Sequence, residues 1–202
     1  MAKRGSYAKG VAKREEILTR ALEVIAREGF RGASVREIAD AVGLSQAGLL
    51  HYFGSKEQLF VEILRKRDEI DAGRFEPGDM ELAEMREGYL RVIRHNSEVP
   101  GVVELFSRLA VEASDATHPA HEYFLQRSAL IRQLFTETVR KAQEDGRMSD
   151  RVDAEILARL FQAASDGMQL QWLLDPAVDM AATVDALFQL LAPVPVQADA
   201  AG

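Results

Sequence analysis

Apolar residues recur every three or four positions along almost the whole chain, the spacing that places them on one face of an α-helix. Leu18, Leu22 and Ile25 follow this spacing, and Gly29 comes after them as a residue typical of a helix end. The sequence has no run with the strict alternation of a half-buried strand and no internal repeat. It therefore predicts an all-α fold with about nine helices.

Serine residues mark the starts of three helices near the N-terminus. Ser34 has Glu37 three positions later, the spacing of a capping box in which each side chain accepts a hydrogen bond from the other residue's backbone N–H. Ser45 is placed to begin a third helix, and Ser55 a fourth that we expect to run to about Ala72. Two short helices followed by a longer one are therefore expected in this region.

Glycine and proline residues divide the remainder of the chain. The strongest break is GRFEPGD, residues 73–79. A fifth helix is expected to end before Pro100, and Pro119 suits the first position of a later helix. Asp153 is placed to cap a further helix that ends at Asp175.

The charges are distributed unevenly. Residues 1–67 hold 13 Lys+Arg and 8 Asp+Glu, a balance of +5, whereas residues 68–202 hold 12 and 24, a balance of −12. A basic N-terminal part on an otherwise acidic chain favours a protein in which the basic part binds a polyanion. An uneven solvated surface is the alternative, and charge counts alone leave it open.

Composition excludes several classes of protein. The chain has no cysteine, which removes disulfides, thiolate nucleophiles and thiolate metal ligands. No apolar run approaches the roughly 20 residues that cross a bilayer, and no apolar stretch follows the basic N-terminus as in a secretory signal. We therefore expect a cytoplasmic protein with no membrane partner.

Residues 34–53, SVREIADAVGLSQAGLLHYF, have the pattern of two short helices joined by a tight turn. Ala39 supplies the small residue where the helices approach, and Gly43 tolerates the positive φ that the turn needs. This arrangement lets a second helix enter the DNA major groove. A helical hairpin that merely packs is the alternative, but the basic excess lies in this same segment. The apolar residues spaced to form the core beneath are Ile38, Val42, Leu44, Leu49 and Phe53.

Residues 26–60, AREGFRGASVREIADAVGLSQAGLLHYFGSKEQLF, resemble the N-terminal three-helix domain of the tetracycline-repressor (TetR) family. Residues 166–176, DGMQLQWLLDP, resemble a late-helix segment in a subset of that family. The resemblance implies a homodimer that binds a palindromic operator in double-stranded DNA and usually represses. It also implies release of the DNA when a small-molecule ligand enters the C-terminal domain.

With this resemblance, the expected domains are a DNA-binding helix-turn-helix domain over residues 1–55, a connecting fourth helix over 56–76, and a larger helical ligand-binding and dimerisation domain over 77–195. Gln46 is the residue at the start of the recognition helix that could pair bidentately with adenine. The residues expected at the DNA are Ser34, Arg36, Ser45, Gln46, Ala47, Gly48, Leu50, His51, Tyr52 and Lys56.

Leu50 departs from the family pattern, which commonly has a tyrosine there whose hydroxyl binds a phosphate. Leucine has no hydrogen-bonding group, so this contact is expected to be lost or replaced by an apolar one. Lys3, Arg4 and Lys9 fit either an arm in the minor groove or a solvated tail, with the tail favoured.

The helix expected over residues 153–174 is apolar nearly all round, so two partners must cover it. A second copy of the chain is the simplest second cover, and the resemblance implies an intersubunit four-helix bundle. A monomer with a deeply buried central helix is the alternative. The residues expected at this interface are Ile156, Leu160, Ala163, Gly167, Leu170, Leu174, Val184, Leu187, Phe188 and Leu191.

The middle helices offer aromatic, apolar and sulfur-bearing residues for a mostly apolar ligand pocket, with His95 and Arg127 as candidate polar anchors. Each of these residues alone is more often a core or surface residue. The residues expected to line the pocket are Tyr89, Val92, His95, Phe106, Leu109, Tyr123, Phe124, Arg127, Met168 and Trp172.

Other chemistry has little support in the sequence. His118, His121 and Glu122 cluster weakly, so no metal site is expected. The sequence has no Gly-rich phosphate loop, nucleophile elbow or metal-binding helix motif, so neither catalysis nor a cofactor is expected. A small all-helical enzyme or ligand carrier with an incidental helix-turn-helix is the alternative to a regulator.

Overall fold

The computed structural model describes residues 2–32, 34–73 and 80–192 of the chain. Within these ranges it contains nine α-helices and no strand, which confirms the predicted all-α class. The helices are α1 (Ala2–Gly32), α2 (Val35–Ala41), α3 (Gln46–Phe53), α4 (Lys56–Ala72), α5 (Leu82–Asn96), α6 (Pro100–Glu112), α7 (His121–Glu144), α8 (Ala154–Leu174) and α9 (Met180–Leu190).

The N-terminal helices begin and end where local chemistry predicts. Helix α1 is interrupted at Gly29, whose φ of 73° and ψ of 164° are not helical. The capping box is present, because Ser34 Oγ accepts from Glu37 N at 3.3 Å and the Glu37 carboxylate accepts from Ser34 N at 2.8 Å. Ser45 and Ser55 also cap the helices predicted for them, accepting from backbone N–H groups at 3.0 and 3.1 Å.

The later boundaries agree less closely. Asp153 caps α8 by accepting from Glu155 N at 2.8 Å, as predicted. Pro119 is not the first residue of its helix, because it lies in a turn closed by donation from His121 N to the His118 carbonyl oxygen at 2.9 Å, and α7 begins at His121. Most of the predicted break, residues 74–79, lies outside the described residues.

The chain forms two packed units. The first comprises residues 1–74 and 94–127, and the second comprises residues 75–93 and 128–202. The first unit thus contains α1 to α4 together with α6, so α6 and the start of α7 pack with the N-terminal helices. The domain boundaries expected from the sequence stay a prediction.

In the first unit, α6 approaches α1 so closely that only glycine fits at the contact. A Cβ atom added to Gly101 would lie 2.2 Å from the Ile25 carbonyl oxygen and 2.7 Å from the Gly29 Cα. Both obstacles are backbone atoms, which a rotamer change cannot move aside. The start of α6 is therefore seated on the C-terminal end of α1.

In the second unit, a row of aromatic side chains joins four helices. The Tyr89 ring lies 4.7 Å from that of Phe135, and the Phe135 ring lies 5.7 Å from that of Phe161. Phe161 in turn lies 4.3 Å from Phe188, measured between ring centroids. The Tyr89 hydroxyl is 2.5 Å from Ser165 Oγ, so the one polar atom of this row has a partner.

We expect Gly101→Ala to lower the free energy of unfolding by about 1–3 kcal/mol, because the added methyl group forces α6 away from the α1 backbone. Gly10→Ala is the matched control. Gly10 also lies in a helix, but a Cβ atom added there would have nothing within 4 Å, so this change should stabilise by about 0.5–1 kcal/mol. Urea unfolding followed by circular dichroism measures both, and equal effects would contradict the close contact.

Candidate nucleic-acid interface

The turn between α2 and α3 has the geometry of a helix-turn-helix. Gly43 has a φ of 68°, and the next residue, Leu44, donates its N–H to the Ala39 carbonyl oxygen at 2.9 Å. Ala39 has no exposed surface, which fits a position where two helices approach each other. Of the predicted core residues, Ile38, Val42, Leu49 and Phe53 are buried and Leu44 is half-buried.

The side of α3 away from this core remains open. Leu49 and Phe53 face inward, so the intervening residues of the helix are left on its outer side. Gly48 packs tightly within the cap, since a Cβ atom there would lie 3.2 Å from Ser45 Oγ. Among the residues predicted to bind DNA on this helix and at its cap, Ser45, Gln46, Ala47 and His51 are exposed, whereas Gly48, Leu50 and Tyr52 are half-buried.

Ser34, Arg36 and Lys56, the other residues predicted at the DNA, are all exposed. The Arg36 guanidinium lies 3.9 Å from the Asp40 carboxylate across an exposed helix face, a distance that leaves it available to a phosphate. The Lys56 ammonium lies 5.5 Å from the ring centroid of Phe60. Of the N-terminal basic residues, Lys9 is an exposed residue of α1, and the side chains of Lys3 and Arg4 lie outside the described residues.

A carboxylate lies beside Lys56 at the start of α4. A hydrogen bond from the Glu57 backbone N–H lowers the pKa of the Glu57 carboxyl, and Ser55 and Lys56 lower it further, whereas partial burial opposes these effects. Glu57 is therefore ionised at neutral pH and offsets part of the Lys56 charge. A phosphate here would be bound against this opposing charge.

Two basic residues of α1, for which we predicted no role, contact the ends of the two short helices of the helix-turn-helix. The Lys13 ammonium donates to the Val42 carbonyl oxygen at 3.4 Å, at the end of α2, and to the Glu16 carboxylate at 2.8 Å. Cationic groups near helix C-termini satisfy carbonyl groups that have no partner within the helix.

Arg14 makes the corresponding contact with the recognition helix. Its guanidinium donates to the Tyr52 carbonyl oxygen near the end of α3 and lies 4.5 Å from the centroid of the Phe53 ring. It also donates to the Glu62 carboxylate of α4 at 3.3 Å. Arg14 thereby connects α1, α3 and α4, a role that helical periodicity does not reveal because all three contacts are distant in sequence.

This geometry agrees with known proteins. The family model of the bacterial regulatory proteins of the tetR family matches residues 17–63. The HTH-type transcriptional repressor AcnR of Corynebacterium efficiens is 31% identical over 167 residues, which are 79% of this chain and 81% of that protein. The chain belongs to the TetR family. It is accordingly a DNA-binding transcription regulator with a helix-turn-helix.

Two further proteins show how much of the chain is similar to known regulators. The HTH-type transcriptional regulator RutR of Escherichia coli K12 is 42% identical over 55 residues, which are 27% of this TetR-family chain and 26% of that protein. The crystal structure of a transcriptional regulator from Rhodococcus sp. RHA1 has a TM-score of 0.67 at 26% identity, and the match covers 89% of this chain and 98% of that one. Similarity in fold thus extends well beyond the helix-turn-helix.

The residues predicted to line a ligand pocket belong to both packed units. His95 is bonded to Glu98 at 2.9 Å, and Arg127 donates to the Asp68 carboxylate at 3.1 and 3.0 Å, so both predicted anchors have partners. That all ten line one pocket stays a prediction. His95, Phe106, Leu109, Tyr123, Phe124 and Arg127 lie in the first unit, and Tyr89, Val92, Met168 and Trp172 lie in the second.

A cleft in the second unit has a volume of about 320 Å³ and contains none of these ten residues. Its guanidinium groups are already engaged, because Arg86 pairs with Asp185 at 2.6 Å and Arg147 with Asp145 at 2.6 Å. The lining consists of Leu82, Ala83, Arg86, Arg147, Met148, Phe188, Gln189 and Ala192.

The histidines considered as metal ligands are bonded to the backbone. His118 Nδ1 accepts from Ala120 N at 3.2 Å, and His121 Nδ1 lies 2.8 Å from the Ala113 carbonyl oxygen. Glu122 is exposed. In the described ranges, no group of three or more histidine, cysteine, aspartate or glutamate residues could hold a metal ion. Nor is any described helix both long and apolar enough to span a bilayer.

The residues predicted for the dimer interface fall into two groups. Val184 and Phe188 are 0% and 6% exposed, so their side chains are covered within the second unit, and their place at the interface stays a prediction. Leu187 and Leu191 are half-buried, whereas Leu190, which we did not predict, is 80% exposed. On α8, Ile156, Leu160, Ala163, Leu170 and Leu174 are exposed and Gly167 is half-buried.

We expect Gln46→Ala and Lys56→Ala to weaken DNA binding differently. Gln46→Ala should cost about 1–3 kcal/mol on the operator and little on random duplex, because it removes a base contact. Lys56→Ala should weaken both and lower the slope of log K against log salt by about 1, because it removes a phosphate contact. Fluorescence anisotropy over a salt series measures both slopes. Equal losses on both DNAs for both variants would contradict the assignment of Gln46 to base reading.

Proposed function

We propose that this chain is a homodimeric repressor that binds a palindromic operator and leaves it when a small-molecule ligand binds. The observation that carries the DNA-binding part is the open outer side of α3, with Gln46, Ala47 and His51 exposed above a core of Leu49 and Phe53. Helix-turn-helix proteins place such a helix in the major groove with its N-terminal residues at the base edges.

Repression is supported by the relatives. The Corynebacterium efficiens protein and a similar protein of Corynebacterium glutamicum, which is 28% identical over 158 residues, are both named transcriptional repressors. A protein bound to an operator represses by occupying the DNA, which requires no chemistry of its own. Binding rather than catalysis is therefore the proposed activity, and the cytoplasm, where bacterial DNA lies, is the proposed location.

Dimerisation is supported by an apolar stripe along α8. Ile156, Leu160, Leu170 and Leu174 are 53%, 52%, 51% and 88% exposed. With Ala163 and Gly167, which lie between them, they follow the spacing of one helix face. Monomeric proteins rarely leave so many large apolar side chains in one contiguous row, and a second copy would cover the row by symmetry.

Ligand control is proposed to act through α4. Two recognition helices reach successive major grooves only when they are about 34–36 Å apart, so a shift of α4 in each subunit would spoil the fit. A coupling free energy of about 1–3 kcal/mol is typical of such control. By thermodynamic reciprocity, operator DNA must weaken the affinity for the ligand by the same factor.

The DNA-binding proposal is tested by selecting and sequencing fragments of the host genome that the purified protein retains. We expect enrichment of a few sites with two inverted half-sites about one helical turn apart. Affinity for these sites should fall steeply with salt, because each neutralised phosphate releases counterions. Absence of any enriched fragment in dilute buffer without ligand would refute the proposal.

The dimer is tested by Leu160→Glu, with Leu130→Glu as the matched control. Both leucines are more than half exposed, at 52% and 59%, but Leu130 lies on α7 outside the stripe. Leu160→Glu should weaken the dimer by about 3 kcal/mol or more, because each copy loses at least about 1.5 kcal/mol of apolar burial and gains a like charge. Analytical ultracentrifugation should show a monomer for Leu160→Glu and a dimer for Leu130→Glu, and a dimer for both would count against this interface.

A further inference from the structure

A buried arginine in the first unit has an unused hydrogen-bond donor. Arg67 is 7% exposed, and its Nη1 atom has no hydrogen-bond partner. Among the described residues, two other buried side chains leave a polar atom unpaired, Thr136 and Gln169, and neither is charged. An unsatisfied buried group costs about 1–3 kcal/mol, and more when the group is charged. Arg67 is therefore the strongest candidate for a group that donates a hydrogen bond to a bound ligand.

The other two nitrogen atoms of Arg67 have partners. Its Nη2 atom donates to Asn96 Oδ1 at 3.0 Å, and its Nε atom lies 3.4 Å from the Asp71 carboxylate. Asn96 is 3% exposed, so this contact is shielded from water. The free Nη1 atom thus belongs to a guanidinium whose position is fixed on its two other sides.

A second cation lies beside it. The guanidinium carbons of Arg67 and Arg127 lie 5.4 and 4.8 Å from the same ring centroid, that of Phe106. The carboxylate of Asp68 binds Arg127 at 3.1 and 3.0 Å and accepts from the Tyr123 hydroxyl at 2.6 Å. Asp68 is therefore committed to Arg127 and Tyr123, and Asp71 is the anion paired with Arg67.

The electrostatic environment is unfavourable to the Arg67 cation. Burial lowers the pKa of Arg67, and the charge of Arg127 lowers it further, whereas Asp71 and Asp68 act in the opposite direction. An additional negative charge at Nη1 would relieve this imbalance and fill the unused donor at the same time. A neutral acceptor would fill the unused donor but would not relieve the charge imbalance.

We propose that the small-molecule ligand carries a carboxylate that binds Arg67 at Nη1. This deepens the proposed function, on which it rests, by naming the chemical class of the ligand. Aromatic rings adjoin this arginine, since Phe106 lies 5.2 Å from Phe124 and Phe124 lies 5.0 Å from Tyr123, so an aromatic acid is a suitable probe. An arginine is suited to this role because a hydrogen bond from its charged guanidinium to a carboxylate is about twice as strong as one between neutral groups.

The test compares benzoate with benzamide, which has nearly the same shape but no charge. Thermal unfolding of the full chain is followed at millimolar concentrations of each, with sodium chloride at equal ionic strength as the control. Benzoate should raise the melting temperature, because binding to the folded state stabilises it, and benzamide should have a much smaller effect. Acetate and phenylacetate are tested in the same way. Equal shifts of the melting temperature with benzoate and benzamide would overturn the proposal, and so would the absence of a shift with all three carboxylates.

Two variants locate the site. Arg67→Gln should abolish the benzoate response, but it removes the guanidinium that pairs with Asp71 and could unfold the chain. Asn96→Asp avoids this difficulty, because the new carboxylate replaces an oxygen that already accepts from Arg67 at 3.0 Å. It should weaken benzoate binding at least tenfold by like-charge repulsion and leave benzamide binding unchanged. Undiminished benzoate binding by Asn96→Asp would overturn the site.

Release of operator DNA is measured separately on the same samples. Benzoate binding that disappears in Asn96→Asp supports the site whether or not DNA is released. Binding without release contradicts ligand control as proposed above, and this outcome is thereby distinguished from failure of the carboxylate site.

Discussion

The burial of one face of α1 is the constraint on which the first unit depends. Ile17, Ala21 and Ile25 have no exposed surface, and α1 packs against α2, α4 and α6. Burial of a large aliphatic side chain is worth about 1.5–3 kcal/mol, so this face contributes much of the stability of the unit. The polar side of the same helix provides Lys13 and Arg14, which bind carbonyl groups at the ends of α2 and α3. The orientation of the helix-turn-helix is therefore set from α1 as well as from its own turn.

Features determined by neighbours in sequence could be predicted. The caps at Ser34, Ser45 and Asp153 each depend on residues two or three positions away, and all three are present. The glycine turn at Gly43 is equally local. The helix start predicted at Pro119 was wrong although its signal is also local, because a turn closed between His121 N and the His118 carbonyl oxygen comes before α7. The helices and the outer side of α3 thus followed from short-range chemistry.

Features that depend on what covers a helix could not be predicted. The spacing of Val184 and Phe188 shows that α9 has an apolar face, but it does not distinguish a face covered by the same subunit from one left open. The contact between Arg67 and Asn96 joins residues 29 positions apart, and no periodic pattern marks it. Buried polar contacts of this kind are recognised only from the tertiary arrangement. For this reason we predicted Arg127 as a candidate anchor from the sequence and did not predict Arg67.

The proposed ligand contact and the recognition helix share one mechanical element. Glu62 and Arg67 are five residues apart on α4, about 7.5 Å along the helix axis. Glu62 binds Arg14, which in turn holds the Tyr52 carbonyl group at the end of α3. Since a helix of this length moves nearly as a rigid body, a shift of α4 on ligand binding would move Arg67 and Glu62 together. The hydrogen bond between Arg14 and the Tyr52 carbonyl group would then depend on whether a ligand is bound to Arg67. Loss of that hydrogen bond alone would supply a coupling free energy of about 1–3 kcal/mol.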